Sequence, residues 1–296
     1  VEKSRTPWWQ WPNLLSLDAP LVAVAWLWMF SRLYYVKYQD PAVYWLLGGM
    51  VWAIYVLDRI RDAENEDAEL RERHLFLWRH KRIFLSLAVL TVIACTIGFL
   101  LGVPVAMLWD WPYGFPFGLV GVSSAVFTHG FLVLFLAACF FVVGHRQGPG
   151  MDSVLFKNLL AALTFSFGTA MGAHFYTSEG VLGMVASFEA LGFAFLCLMN
   201  LNAIDLWERE EKAGEDLPVR DFILTLPLLV IGFISLLAAT FWHEYQKPFY
   251  YSMLVASAGL LMLDHFRIRF SARLLRVLAD VALLLPLPIF WLWFTN

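Results

Sequence analysis

Nine runs of about 20 mostly apolar residues, the length that crosses a bilayer as a helix, divide the chain. They fall roughly at 14–35, 41–57, 83–108, 118–143, 153–174, 181–203, 222–242, 249–266 and 273–294. In hydrocarbon each backbone N–H and C=O must be satisfied inside the protein, so every such run reads as a helix. Composition agrees: 60% of the 296 residues are hydrophobic and 15% charged, with 14 Trp and 26 Phe, against about 45–50% and about 25% in a typical soluble domain. A water-soluble fold has nowhere to place that much apolar surface. The net charge of −3 argues against a nucleic-acid partner. Cys95, Cys139 and Cys197 lie inside apolar runs without metal or redox spacing, which argues against a disulfide framework. The expected fold is all-α: nine transmembrane helices forming one polytopic membrane domain over 1–296.

Basic residues gather on cytoplasmic loops, and here they alternate from loop to loop. Eighteen of the 21 Lys and Arg lie on the N-terminal side of the membrane, including Arg59, Arg61, Arg71, Arg73, Arg79, Lys81 and Arg82 in one connection. Arg32, Lys37 and Lys247 remain for the other side. The N-terminus is therefore expected in the cytoplasm, with the longest polar segments, 58–82 and 204–221, on the same face. A bacterial inner membrane suits this layout. The opposite loops are short and aromatic (Trp109, Trp111, Tyr113, Phe115), as expected of interfacial anchors.

The chemistry-bearing residues concentrate in those two segments. Asp58 and Asp62 follow the second run and stand four apart, one above the other on a helix. Paired carboxylates of this kind suit a hard divalent cation that keeps waters and takes phosphate oxygens from a substrate. Arg59 and Arg61 would equally balance them in a solvated helix end. After the sixth run, Asn202, Asp205, Arg209 and Lys212 fall on one helical face with Glu208 at its edge.

Two acidic segments at the ends of the second and sixth of nine spans resemble the layout of the UbiA-type superfamily of intramembrane prenyltransferases. Asp58-Arg59-Ile60-Arg61-Asp62-Ala63 is similar to the second half of that family's NDxxDxxxD segment. Ser16-Leu17-Asp18-Ala19-Pro20 resembles its R-x-D-[KR]-P helix start. Asn202 and Asp205, with Ala213-Gly214 downstream, resemble its DxxDxxxD…AG segment, and His145-Arg146 with Lys157-Asn158 its basic approach to the fifth helix. The resemblance implies a helical bundle around a central cavity, with Mg²⁺ held by Asp58, Asp62, Asn202 and Asp205 and an isoprenyl diphosphate as substrate. Asp58, Asp62 and Asp205 would be catalytic, and Arg73, Lys157 and Lys212 would hold the diphosphate. Glu208 and Asn202 would face the cavity. The chain departs from the pattern at Ile54 and Tyr55, where the family has Asn-Asp, at Asn202, where it has Asp, and at Arg209, where it has a metal ligand. Fewer carboxylates and an added cation weaken a Mg²⁺ site.

Other polar residues inside the runs have simpler readings. Glu189, at membrane depth, is expected to face the cavity rather than lipid. His129 reads as a helix–helix hydrogen-bond partner, and Asp280 as an ion-pair partner of Arg276 one turn away. Two functions stay open: a Mg²⁺-dependent transferase moving an isoprenyl group to an acceptor, and a non-catalytic relative that binds a lipid, quinone or pigment or serves as a subunit of a larger membrane complex. The topology has a direct check. With single cysteines in a cysteine-free background, Glu66→Cys should resist a membrane-impermeant maleimide applied from outside intact cells, and Glu244→Cys should react; the reverse pattern would invert the orientation.

Overall fold

In this computed structural model the described residues are 7–37, 39–65, 76, 78–102, 124–145, 151–175, 177 and 179–295. Among them every regular element is helical. The main helices are α1 (Asp18–Leu33), α2 (Pro41–Asn65), α3 (Lys81–Gly102), α4 (Ser124–His145), α5 (Met151–His174), α6 (Gly180–Ala186), α7 (Phe188–Ala213), α8 (Leu226–Phe241), α9 (Lys247–His265), α10 (Ala272–Leu284) and α11 (Pro286–Thr295). Six stretches among the described residues are long and apolar enough to cross a membrane: Pro41–Arg61, Lys81–Gly98, Val154–His174, Phe188–Ala213, Asp221–Phe241 and Ala272–Phe294. The protein is an integral membrane protein by this measure. At the other three sequence runs stand α1 with 16 residues, the shorter apolar stretch Phe127–Val143 within α4, and α9 with 19 residues.

The chain divides into two compact units, 1–24 with 39–121, and 25–38 with 122–296. In the first, α2 and α3 pack through Ala53, Val56, Ile60, Phe84 and Ala88. At Gly49 a Cβ would lie 2.7 Å from Cys95 Sγ, so the absence of a side chain there makes room for α3. The polar end of α2 is tied to the N-terminal turn. Arg59 is buried and donates to the Asn13 carbonyl and to Ser16 Oγ (2.8 Å), and it pairs with Asp18 (3.4 Å). Asn13 also donates to Asp18 (2.6 Å), and the Trp52 indole donates to the Leu15 carbonyl (2.9 Å). One of the two cations between the motif aspartates, Arg59, is thus spent on the turn that precedes α1.

The second unit is built around aromatic rings from the later part of α1. Trp26 stacks on Phe193 of α7 at 4.1 Å between centroids and meets Phe249 of α9 edge-on, while Phe30 contacts both rings. Two sequence runs that read as continuous helices are broken. The sixth breaks at Ser187, which takes an extended backbone and accepts the Ala190 N–H in its side chain, capping α7. The ninth breaks at Leu285, because Pro286 and Pro288 lack N–H donors and their rings crowd the preceding turn. The Trp26 indole donates to the nearby Leu283 carbonyl (3.0 Å), the kind of substitute partner that makes a break tolerable in lipid.

Trp26→Phe keeps most of the ring stacking but removes that donor. It should lower unfolding stability in detergent by about 1–3 kcal/mol, the penalty for a buried acceptor left unsatisfied. A thermal or denaturant titration would read it, and a change well under 1 kcal/mol would show that the carbonyl has another partner.

Candidate functional site

The polar end of α7 collects the second acidic segment. This helix is mostly buried until its last turn, and Gly214, in the left-handed conformation (φ 73°), ends it by donating its N–H to the Glu210 carbonyl. Only glycine takes that conformation at little cost, so the stop is sharp. The helix therefore places Asn202 and Asp205 one turn apart on a fixed face.

Asn158 of α5 reaches this face. Its side-chain nitrogen donates to Asp205 Oδ2 at 2.7 Å and to Asn202 Oδ1 at 3.1 Å. Asn158 and Asn202 are buried, and Asp205 is half-buried. Two oxygens thus converge on one electropositive point at the wall of a shallow cleft. The cleft is lined by Val154, Leu155, Asn158, Asn202, Asp205, Leu206, Arg209 and Ile223 and has room for about one water. Ile223 comes from a π-helical turn, Asp221–Thr225, which leads into α8. Such turns recur at functional sites.

The donor chemistry of this wall bears directly on Mg²⁺. Oxygen ligands from one carboxylate and neighbouring carboxamides are of the right type, and their convergence is of the right kind. The charge is short, since the single carboxylate of the lining, Asp205, is accompanied by Arg209 one turn further along α7. The set suits a divalent ion only in company with phosphate oxygens that supply the missing negative charge. Among the described residues no group of three or more His, Cys, Asp or Glu side chains is arranged to hold a metal.

The remaining sequence candidates are distributed as follows. Asp58 is half-buried on the last turns of α2, and Asp62 follows one turn later on the same helix, its side chain outside the described portion. Arg73 lies outside the described residues. Lys157 sits over the Phe140 ring at 5.6 Å, a cation–π contact, and Lys212 is exposed at the end of α7. Glu208 is buried and paired with Arg276 of α10. Asp280, read from the sequence as a partner of Arg276, accepts from Asn200 of α7 at 3.2 Å. The pairings across helices follow from burial: a lone guanidinium or carboxylate inside is costly.

Glu189 also takes a different setting from the one its sequence depth suggests. The break at Ser187 makes it the second residue of α7, where it is buried and accepts a hydrogen bond from Tyr250 of α9 (2.9 Å). It does not line the cleft beside Asp205.

Beyond the cleft, an ionic cluster fixes the connection after α7. Glu210 accepts from Arg267 Nε (3.1 Å) and from the Leu217 N–H, and Arg220 lies 3.8 Å away. Arg267 also holds Asp216 (2.6 Å), and the Trp207 indole donates to Asp264 (2.9 Å). The sequence reading missed Asn158 as a site residue and this cluster as a clamp. The first had a faint signal, a carboxamide one turn inside an apolar run. The second joins residues more than 50 positions apart and had none. Comparison with family models, with curated proteins and with solved structures gave no match.

The Glu208–Arg276 pair offers a quantitative check. Arg276→Met leaves a buried carboxylate without its guanidinium and should cost about 3–5 kcal/mol. Replacing both residues by Leu should recover most of the loss in the same unfolding assay, whereas an uncorrected double variant would mean that each side chain is held by other groups.

Proposed function

We propose that this chain is a divergent membrane prenyltransferase of the UbiA type, moving an isoprenyl group from an isoprenyl diphosphate to an acceptor. The single observation that carries the reading on the structural side is the cluster of Asn158, Asn202 and Asp205. These are oxygen donors prearranged beside Arg209 at the polar end of a buried helix, opening on a cleft. Asp58 and Asp62 are assigned to the same chemistry from their motif alone. Mg²⁺ bound there would neutralise diphosphate oxygens and so ease departure of pyrophosphate. Within the chain, Asn158 fixes the rotamers of Asn202 and Asp205, and Arg209 supplies positive charge at the cleft. Lys157, Lys212 and Arg73 are the further cations assigned to the phosphates.

A second reading has its own observation. Glu208, the acidic residue nearest to replacing the ligand lost at Arg209, is already neutralised by Arg276. The cleft has room for about one water, far below the roughly 300–1,000 Å³ of small-molecule sites. These favour a non-catalytic relative that binds a lipid, quinone or pigment, or that acts as a subunit of a membrane complex.

Purified protein incubated with geranyl, farnesyl and longer diphosphates decides between them. A transferase releases pyrophosphate in the presence of a prenyl acceptor only with Mg²⁺. Asp58→Ala and Asp205→Ala should each lower that rate at least ~10²-fold, the order for removing one preorganised electrostatic contact. Glu215→Ala, an exposed acid outside both motifs, should leave it unchanged. No release from folded protein with any diphosphate and with quinone-precursor, tetrapyrrole or lipid acceptors would favour the second reading.

A further inference from the structure

The other end of α5 carries a pair of side chains that the prenyltransferase reading does not use. His129 of α4 and His174 of α5 are both fully buried, and His129 Nε2 lies 3.1 Å from His174 Nδ1. Thr177 Oγ1 stands 3.2 Å from the same Nδ1 and 3.3 Å from His174 Nε2. Aromatic edges close the surroundings: Phe175 meets the His129 ring at 5.3 Å, and Tyr34 meets the His174 ring at 5.2 Å.

We propose that His129 and His174 form a binding site for a borderline transition-metal ion of the Zn²⁺ or Cu²⁺ class. Such ions take imidazole nitrogens at about 2.0–2.1 Å, so two nitrogens on one ion at square or tetrahedral angles stand about 2.9–3.4 Å apart. The observed 3.1 Å meets that spacing with both helices where they are; the rings, now aimed at each other along the hydrogen bond, have to turn about their side-chain bonds to aim at one ion. An ion needs one unprotonated nitrogen from each ring. In the metal-free protein one ring donates its N–H to the other. Loading asks for a change of tautomer: the proton between the rings moves to the donor ring's other nitrogen, with no change in total charge on the two imidazoles. If His174 is that ring, Thr177 Oγ1 is within reach to accept the Nε2 proton, a second-sphere bond of the kind that orients metal-bound histidines. The two rings supply two ligands, and water or the Thr177 hydroxyl completes the shell. The site is a separate one, independent of the diphosphate reading.

The test uses the full-length protein in detergent. Titration with Zn²⁺ should show one site that His129→Gln and His174→Gln each weaken at least ~100-fold, the upper range already seen for losing even a second-sphere group. Glutamine keeps hydrogen-bonding capacity at the position, and thermal unfolding checks the fold of each variant. His129→Cys, which retains a metal ligand, should bind Zn²⁺ more tightly than His129→Gln. Cu²⁺-loaded wild type should show coupling to two nitrogens by electron paramagnetic resonance. Zn²⁺ binding equal in wild type and both Gln variants, or a Cu²⁺ spectrum unaffected by them, would overturn the proposal and leave a hydrogen-bonded pair.

Discussion

Lipid offers no hydrogen-bond partners, so each polar group that this chain carries into its apolar helices must find one within the protein, and those too far from their own backbone must find it on a neighbouring helix. The second unit is organised by that demand. Asn158 joins α5 to α7, Asn200 and Glu208 join α7 to α10, Glu189 joins α7 to α9, and Trp26 joins α1 to α10. Aromatic stacking around Trp26 and Phe193 adds area, but area alone leaves helices free to slide and rotate. The polar bonds set register, because each needs two atoms within about 3 Å. α7 takes part in three of these four joints, which accounts for its enclosure.

The same demand shapes the candidate site. A half-buried carboxylate at Asp205 is stable beside Asn158 because the amide meets one of its oxygens directly. Arg209 then adds positive charge without closing the cleft as an ion pair would. On the prenyltransferase proposal, a site built this way suits a ligand that brings its own negative charge. Glu208, only three residues on, took the other course and is neutralised within the protein by Arg276.

Much of the fold was legible in the sequence for a simple reason: long apolar runs have one good solution in a bilayer, and the helices lie where the runs are. What was not legible came from local backbone chemistry and from distant partners. The break at Leu285 was readable in principle from two prolines spaced two apart, yet the run remained apolar throughout and so read as one span. The break at Ser187 carried no proline and left only a serine as a trace. For the site, Asn202 and Asp205 were visible as one helical face, because helix period alone puts them there. Asn158 and Arg276 were not, since their roles depend on which helices become neighbours. His129 was read as a helix–helix partner without its partner, because His174 lies 45 positions away at the end of the next run.

The break at Leu285 has a consequence for the order of assembly. Its two pieces contain 13 and 10 residues, about 20 and 15 Å of helix, and neither alone matches a hydrocarbon core of about 30 Å. The Leu283 carbonyl beside the junction is met by the Trp26 indole of α1, 257 positions earlier. During synthesis α1 therefore forms long before that partner exists, and its rotation about its own axis is pinned only when α10 arrives.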